Sequence, residues 1–274
     1  MVTTVKELLR THGITLAAPV PLSALTVTRR YLLDRHGITD GTAFLFAVPY
    51  YTTACDDCAR NISCYSVSRD YHRFFADLFE EILPILRQKF EGFTFVGFTD
   101  HSPIAEGEAA VKAGLGAFGC NHLFLTKEHS SFVFLGEIIT DAHVPCTAHE
   151  ISTCTACGAC RRACPVELDC TRCLSALTQK KGGLNEEETA ALLAHGMAWG
   201  CDTCQLVCPV TVAAKKAGTL YSHIPFFEES AIPHLTAETI DTMSDEEFAS
   251  RAYSWRGRDT IKRNLLLLEG KEPL

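Results

Sequence analysis

Cys154, Cys157, Cys160 and Cys164 are spaced C-x2-C-x2-C-x3-C, and Pro165 follows at once. Thiolates at that spacing wrap an iron–sulfur cubane, three on one cluster and the fourth, offset by three residues, turned toward a second. A second set lies downstream. Cys201, Cys204 and Cys208 read C-x2-C-x3-C and end in Pro209, with Cys170 and Cys173 before them. Crossed pairing gives two quartets. Cluster one takes Cys154, Cys157, Cys160 and Cys208; cluster two takes Cys164, Cys201, Cys204 and either Cys170 or Cys173. Each [4Fe–4S] cluster then has the four thiolates that its irons require. A four-cysteine zinc site uses two C-x2-C pairs and explains neither the third cysteine nor the two Cys-Pro endings. Two such clusters make an electron wire. Roughly 150 residues precede them, the size of a domain, so the wire is expected to feed a second site.

The composition limits what else the chain can be. Its 274 residues are 47% hydrophobic and 21% charged, which excludes a disordered chain. A net charge of −8 excludes a uniformly basic nucleic-acid sleeve but leaves room for a local basic patch. No apolar run approaches the roughly 18 residues of a membrane span. The N-terminus, MVTTVKELLRTHG, lacks the apolar stretch of a secretory signal. The expected location is the cytoplasm, with no membrane partner. There thiols stay reduced, so the 14 cysteines are metal ligands before they are disulfides. Cys55 and Cys58 form a C-x2-C pair with Cys64 six residues on. They are either a third metal or redox site or plain buried and surface thiols.

The elements that position these residues read as α+β. Residues 1–36 are helical in part, with Val5, Leu8 and Leu9 at helical spacing. Ala43–Val48 is a buried strand ended by Pro49. Residues 70–90 carry an apolar stripe through Phe74, Phe75, Leu78, Ile82 and Leu86, an amphipathic helix with a kink expected at Pro84. Phe93–Phe98, Leu123–Thr126 and Phe132–Ile139 read as strands, and Glu106–Ala113 as a helix stopped by Gly114. Three segments are expected: an α+β domain over 1–147, a double-cluster ferredoxin-like module over 148–212, and a helical C-terminal segment over 213–274.

Several strings resemble one known family. They are SRDYH at Ser68–His72, FTDHSPIAEGEAAVKAGLGAFGCN at Phe98–Asn121, SFVFLGEIITD at Ser131–Asp141, RCLSALT at Arg172–Thr178 and GCDTCQLVCP at Gly200–Pro209. Together, in this order, they resemble epoxyqueuosine reductase, in a short form without C-terminal helical repeats. The resemblance covers about Ala43 to Leu268. It implies an N-terminal domain that holds cobalamin base-off and two [4Fe–4S] clusters that reduce it. The reaction implied is removal of an epoxide oxygen from a modified tRNA base, two electrons and two protons giving an alkene and water. An electron donor such as ferredoxin or flavodoxin is implied as well. RCLSALT matches the family's isolated ligand, which selects Cys173 over Cys170.

The resemblance also implies site residues. The family's D-x-[SA]-P-x-x-E motif is here Asp100-His101-Ser102-Pro103 through Glu106, and Asp100 is the implied general acid. Partial burial after an apolar strand would raise its pKa. By its residues alone, Asp100 reads first as the cap of the following helix, and the resemblance reverses that order. Asp70 and His72 are further site candidates, or else the solvated first turn of the 70–90 helix. Gly114, Gly116 and Gly119 lie in the family's corrinoid region, where glycine would allow close backbone approach to the macrocycle; simple turn chemistry is the other reading. The chain departs from the family at Cys120, usually lysine, at Phe132, near which the family has tryptophan, and at Pro209-Val210-Thr211, usually Pro-Trp-Asn. Ser244–Asn264 resembles the lead-in to helical repeats that help hold tRNA, and the chain ends soon after. Its basic residues at 251–263 either grip phosphate or pair with the acidic 238–247 stretch. Two alternatives follow: a corrinoid reductase of a small molecule, and a two-cluster electron carrier.

Overall fold

Ala43–Val48 is an unbroken apolar run because both faces of its strand are covered. The computed structural model describes residues 1–272. They divide into two compact units, Met1–Pro49 with Phe74–Cys157, and Tyr50–Arg73 with Gly158 onward.

In chain order the elements up to Cys157 are α1 (Val2–Thr11), β1 (Leu16–Pro21), α2 (Arg30–Asp34), β2 (Thr42–Pro49), α3 (Tyr71–Lys89), β3 (Phe95–Phe98), α4 (Glu106–Lys112), β4 (Ala117–Phe118), β5 (Phe124–Leu125) and β6 (Val133–Thr140). The first unit is built on an antiparallel sheet of order β1-β2-β6-β3. Every residue of β2 is buried. Ala43 and Leu45 pack on one face with Val20, Leu33, Ile38, Ile104 and Ile139. Phe46 faces the other way, against Phe75 and Phe79 of α3. That helix runs on through Pro84. Gly136 of β6 lets the aromatic layer close down: a Cβ there would sit 2.3 Å from Phe75 Cε1 and 2.7 Å from Phe46 Cζ. β1 lies in the stretch expected to be partly helical. Its sequence, LAAPVP, carries two prolines, which a strand tolerates at a sheet edge, and β1 is an edge.

The second unit contains α5 (Ala159–Ala163), α6 (Leu174–Thr178), α7 (Glu186–His195), α8 (Thr203–Leu206), α9 (Pro209–Ala217), α10 (Pro225–Glu228), α11 (Ala237–Thr242), α12 (Asp245–Ala249) and α13 (Arg258–Leu268). It does not follow the boundaries drawn from the sequence. Tyr50–Arg73 joins it because Ser63 N donates to Trp199 O at 2.7 Å and Ala198 N to Asn61 O at 2.7 Å. Ile62 and Val67 then enter one core with Trp199, Ile240, Phe248, Tyr253 and Ile261. Residues 213–272 share that core with the cysteine-bearing segment. The basic and acidic C-terminal stretches pair: Lys262 Nζ lies 2.7 Å from Asp241, Arg258 3.1 Å from Asp245 and Arg251 3.4 Å from Glu247. Among the described residues no helix is long and apolar enough to cross a membrane.

The aromatic layer yields one expectation. Gly136→Ala forces Phe75 and Phe46 apart and should cost about 1–3 kcal/mol. Urea unfolding of the full chain measures it; an unchanged midpoint would show that the rings yield freely.

Candidate active site and cluster cysteines

β3 ends at Phe98, and the register of the sheet sets Phe98 opposite Glu137 of β6. The chain then leaves the sheet. Thr99 Oγ1 donates to Leu135 O at 2.9 Å, and Asp100 follows at φ +57°, a left-handed conformation that few non-glycine residues adopt. Residues 26–29 hold the far side of the loop. Thr28 N and Arg29 N donate to Pro103 O at 2.8 and 3.1 Å, Ala105 N to Thr26 O at 3.0 Å, and an Arg29 guanidinium nitrogen to Ser102 O at 3.0 Å.

Asp100 is exposed, not partly buried as expected. Nor does it cap a helix: the N-cap of α4 is Ala105, and no side chain caps it. The bond runs the other way, from Asp100 N to Glu106 Oε1 at 2.9 Å. The perturbed carboxyls are the two beside it. Burial, then the Asp100 charge, pushes Glu106 up to about 7. Burial pushes Glu137 well above the usual carboxylate range, reinforced by Glu106. Glu137 is 0% exposed, and Ser102 and Glu106 are its polar neighbours. The sequence reading passed over Glu137. Its signal is a single carboxylate in the otherwise uncharged strand VFLGEIIT.

In the second unit, Asp70 and His72 form a pair: His72 Nδ1 lies 2.8 Å from Asp70 Oδ1, which also accepts from His72 N at 3.0 Å. Asp70 thereby fixes the imidazole ring. The three glycines are explained by the chain's own packing. A Cβ on Gly114 would meet the His149 ring at 2.8 Å, on Gly116 the Leu125 carbonyl at 2.1 Å, and on Gly119 the Asn121 side chain at 2.3 Å. These contacts account for the three glycines without a ligand.

The cluster cysteines occupy loops and helix ends. Cys154 Sγ accepts from Cys120 N at 3.4 Å, and the Ala156 amide, with Ala156 at φ +53°, is the larger influence holding its thiol below the ordinary value. Peptide N–H groups turned on sulfur are what a cluster thiolate requires. The Cys120 thiol lies 3.7 Å from Cys154 Sγ. Cys160 is within α5, Cys164 at its C-cap, and Cys204 within α8, which packs on α5. Cys173 and Cys208 are the N-caps of α6 and α9, where the helix dipole favours an anionic ligand, and neither sulfur caps its helix. Cys173 lines a cleft of about 430 Å³, whereas the exposed Cys170 turns its thiol to Leu168 O at 3.8 Å. The donors therefore fit iron–sulfur chemistry, although among the described residues no three His, Cys, Asp or Glu side chains already converge as a ligand set.

Cys55 and Cys64 are buried and Cys58 is exposed. Beside the buried pair, Arg60 lies 2.7 Å from Asp202, whose Oδ2 also accepts from Cys64 N at 2.9 Å. Burial raises the Asp202 carboxyl in spite of Arg60.

The raised carboxyls make a prediction about stability. A carboxyl whose folded pKa is raised binds its proton better in the folded chain. Its contribution is full below the ordinary value near 4.5 and is lost as pH rises through the folded value, about 7 for Glu106; Glu137 is shifted in the same direction. The chain should lose stability over this window by up to about 1.4 kcal/mol per pH unit for each proton. Glu137→Gln should flatten that slope, as measured by urea midpoints at several pH values; an equal slope in both proteins would place the titration elsewhere.

No protein-family model matches the chain. Curated relatives do. An epoxyqueuosine reductase of Aliivibrio fischeri is 36% identical over 155 residues, 54% of this chain and 42% of the relative. That of Escherichia coli is 36% identical over 155 residues, 54% of this chain and 41% of the relative. That of Gloeobacter violaceus is 30% identical over 209 residues, 74% of this chain and 64% of the relative. The chain thus spans less than half the length of the first two. Among solved structures, the Streptococcus thermophilus epoxyqueuosine reductase matches with a TM-score of 0.72 at 20% identity, covering 98% of this chain and 80% of that one. An epoxyqueuosine reductase solved with an epoxyqueuosine-modified tRNA-Tyr stem loop matches with a TM-score of 0.74 at 22% identity, covering 97% of this chain and 81% of that one. The structural likeness concerns the fold alone; by its sequence likeness the chain belongs to the epoxyqueuosine reductase family.

Proposed function

We propose that this chain is an oxidoreductase that removes the epoxide oxygen of epoxyqueuosine in tRNA, forming queuosine in the cytoplasm. The observation that carries the reading is the Asp100 loop. It presents an exposed carboxyl on a left-handed backbone at the end of a sheet strand, inside the family's D-x-S-P-x-x-E motif. Cys154, Cys157, Cys160 and Cys208 would hold one [4Fe–4S] cluster, and Cys164, Cys173, Cys201 and Cys204 the other. When bound, the clusters and a cobalamin supply the two electrons, drawn from a donor such as ferredoxin or flavodoxin. Cobalamin rests on the family likeness alone.

The chain's own part is the proton. The reaction takes up two electrons and two protons, breaks both C–O bonds of the epoxide, and leaves an alkene and water. The Asp100 carboxyl would protonate the oxygen as it departs, which removes the cost of expelling an alkoxide. Exposure gives that carboxyl access to a substrate and to solvent protons for the next turnover. The Asp70–His72 pair would bind the polar edge of the cofactor or the substrate, with Asp70 setting the imidazole tautomer.

The ion pairs of the 251–263 segment favour one alternative, a small-molecule epoxide in place of tRNA. Cations already paired within the unit have little left for phosphate. One experiment separates the two. The chain is reconstituted anaerobically with iron, sulfide and cobalamin and given reduced flavodoxin. It is then offered an epoxyqueuosine tRNA stem loop and, separately, the free nucleoside. About eight irons and one cobalt per chain are expected, with the stem loop converted to queuosine. Conversion of the nucleoside alone would favour the small-molecule reading. Conversion of neither by the loaded chain would overturn both.

A further inference from the structure

We infer that Glu106 is a positioning residue for Asp100: its side chain holds the Asp100 peptide in the left-handed conformation, and Glu137 behind it keeps Glu106 in place. The inference deepens the proposed function and rests on Asp100 as the proton donor.

Three observations lead to it. First, Asp100 stands at φ +57°, in the left-handed region that costs a non-glycine residue energy, so a contact that holds its peptide there matters. Its amide has an identified partner, Glu106 Oε1 at 2.9 Å. Second, Glu106 is the first residue of α4, yet its carboxyl reaches back six residues to the loop, and the Ala105 N-cap has no side-chain bond. Third, Glu137 is a carboxyl that the strands bury completely, and Ser102 and Glu106 are the polar groups it meets. A group so costly to bury needs a function, and its polar neighbours are Glu106 and Ser102 of this same loop.

The charges around Glu106 come from every side. Asp100 lies on the loop, Glu137 on β6, and Arg29 in the segment before α2, where its guanidinium donates to Ser102 O at 3.0 Å. Burial and the neighbouring Glu106 push the Glu137 carboxyl upward, and Glu106 itself titrates at about 7. Ionised Glu106 is the stronger acceptor for the Asp100 amide. The grip on the loop therefore tightens as pH rises through about 7 and slackens below it.

The test compares Glu106→Ala with Glu106→Gln in the full reconstituted chain by two readouts. One is hydrogen exchange in the peptide 98–105, and the other is turnover against pH. Glu106→Ala should speed exchange of the Asp100 amide by about tenfold, because a hydrogen bond to a charged acceptor is lost. It should lower kcat by about 100-fold with KM little changed, as expected when a reacting group is misplaced. Glu106→Gln keeps an oxygen acceptor, so it should restore most of the protection and rate, and should lose the pH dependence near 7. Exchange and kcat in Glu106→Ala equal to those of the unaltered chain would overturn the inference. So would a Glu106→Gln variant as impaired in both readouts as the alanine variant. If the unaltered chain converts no substrate, the assignment of Asp100 fails, and exchange alone still decides whether Glu106 holds the loop.

Discussion

A carboxyl group buried in the middle of a sheet is costly, and the first unit is arranged around one. Glu137 stands on β6 between Leu45 of β2 and Phe98 of β3. Its strand is apolar on both sides because β2 is buried along its whole length and α4 packs against both strands. Its polar neighbours, Ser102 and Glu106, lie just beyond the point where β3 stops. There the chain turns away from the sheet through Thr99, Asp100 and Ser102, and α4 begins with Glu106. The short β3, the strained Asp100 and the uncapped start of α4 thus share one physical origin: two carboxyls brought together at the end of a strand pair. Like charges in a low-dielectric place cannot both ionise cheaply, so the pair keeps a proton to neutral pH. The result is a rigid base beneath an exposed acid.

The second unit solves a different problem, that of ordering short cysteine-bearing loops and helices. α5, α6 and α8 are each one turn or little more and have few buried residues of their own. Order comes instead from the larger core around Trp199, whose indole donates to Tyr65 OH at 2.7 Å. The buried Arg60–Asp202 pair adds a second tie, and Asp202 lies between Cys201 and Cys204 in sequence. Buried ion pairs contribute little net stability, but breaking one strands a charge, so they fix geometry more than they add free energy. The stretch Tyr50–Arg73 joins this unit through Asn61, Ile62 and Ser63.

The parts legible from sequence were those whose physics is local. The cysteine spacing is chemical arithmetic. The runs in β2 and β6 and the stripe of α3 are periodicities that burial imposes. What was hidden depends on pairing between distant residues. β1 lies inside a stretch that reads as partly helical, and its place at the sheet edge is what makes Pro19 and Pro21 acceptable in a strand. Asp100 reads first as a helix cap until Ala105 is seen to begin α4. Glu106 lay inside a quoted motif without a role, and Glu137 inside a strand without remark, because their meaning arises only when the register of β3 and β6 brings them together. Gly114, Gly116 and Gly119 show the reverse. Their pattern suggested a ligand, and close contacts with the chain's own backbone and side chains account for each.

The account turns on Asp100 as the donor of the proton that accompanies loss of the epoxide oxygen. The most direct test is a single-turnover comparison of the reconstituted chain with Asp100→Asn on an epoxyqueuosine tRNA stem loop, at equal iron and cobalt content. The asparagine keeps the peptide N–H that Glu106 accepts but has no acidic proton to give. The account predicts unchanged loading and a rate of queuosine formation lower by about 100- to 10,000-fold. Turnover by Asp100→Asn at the unaltered rate would contradict it.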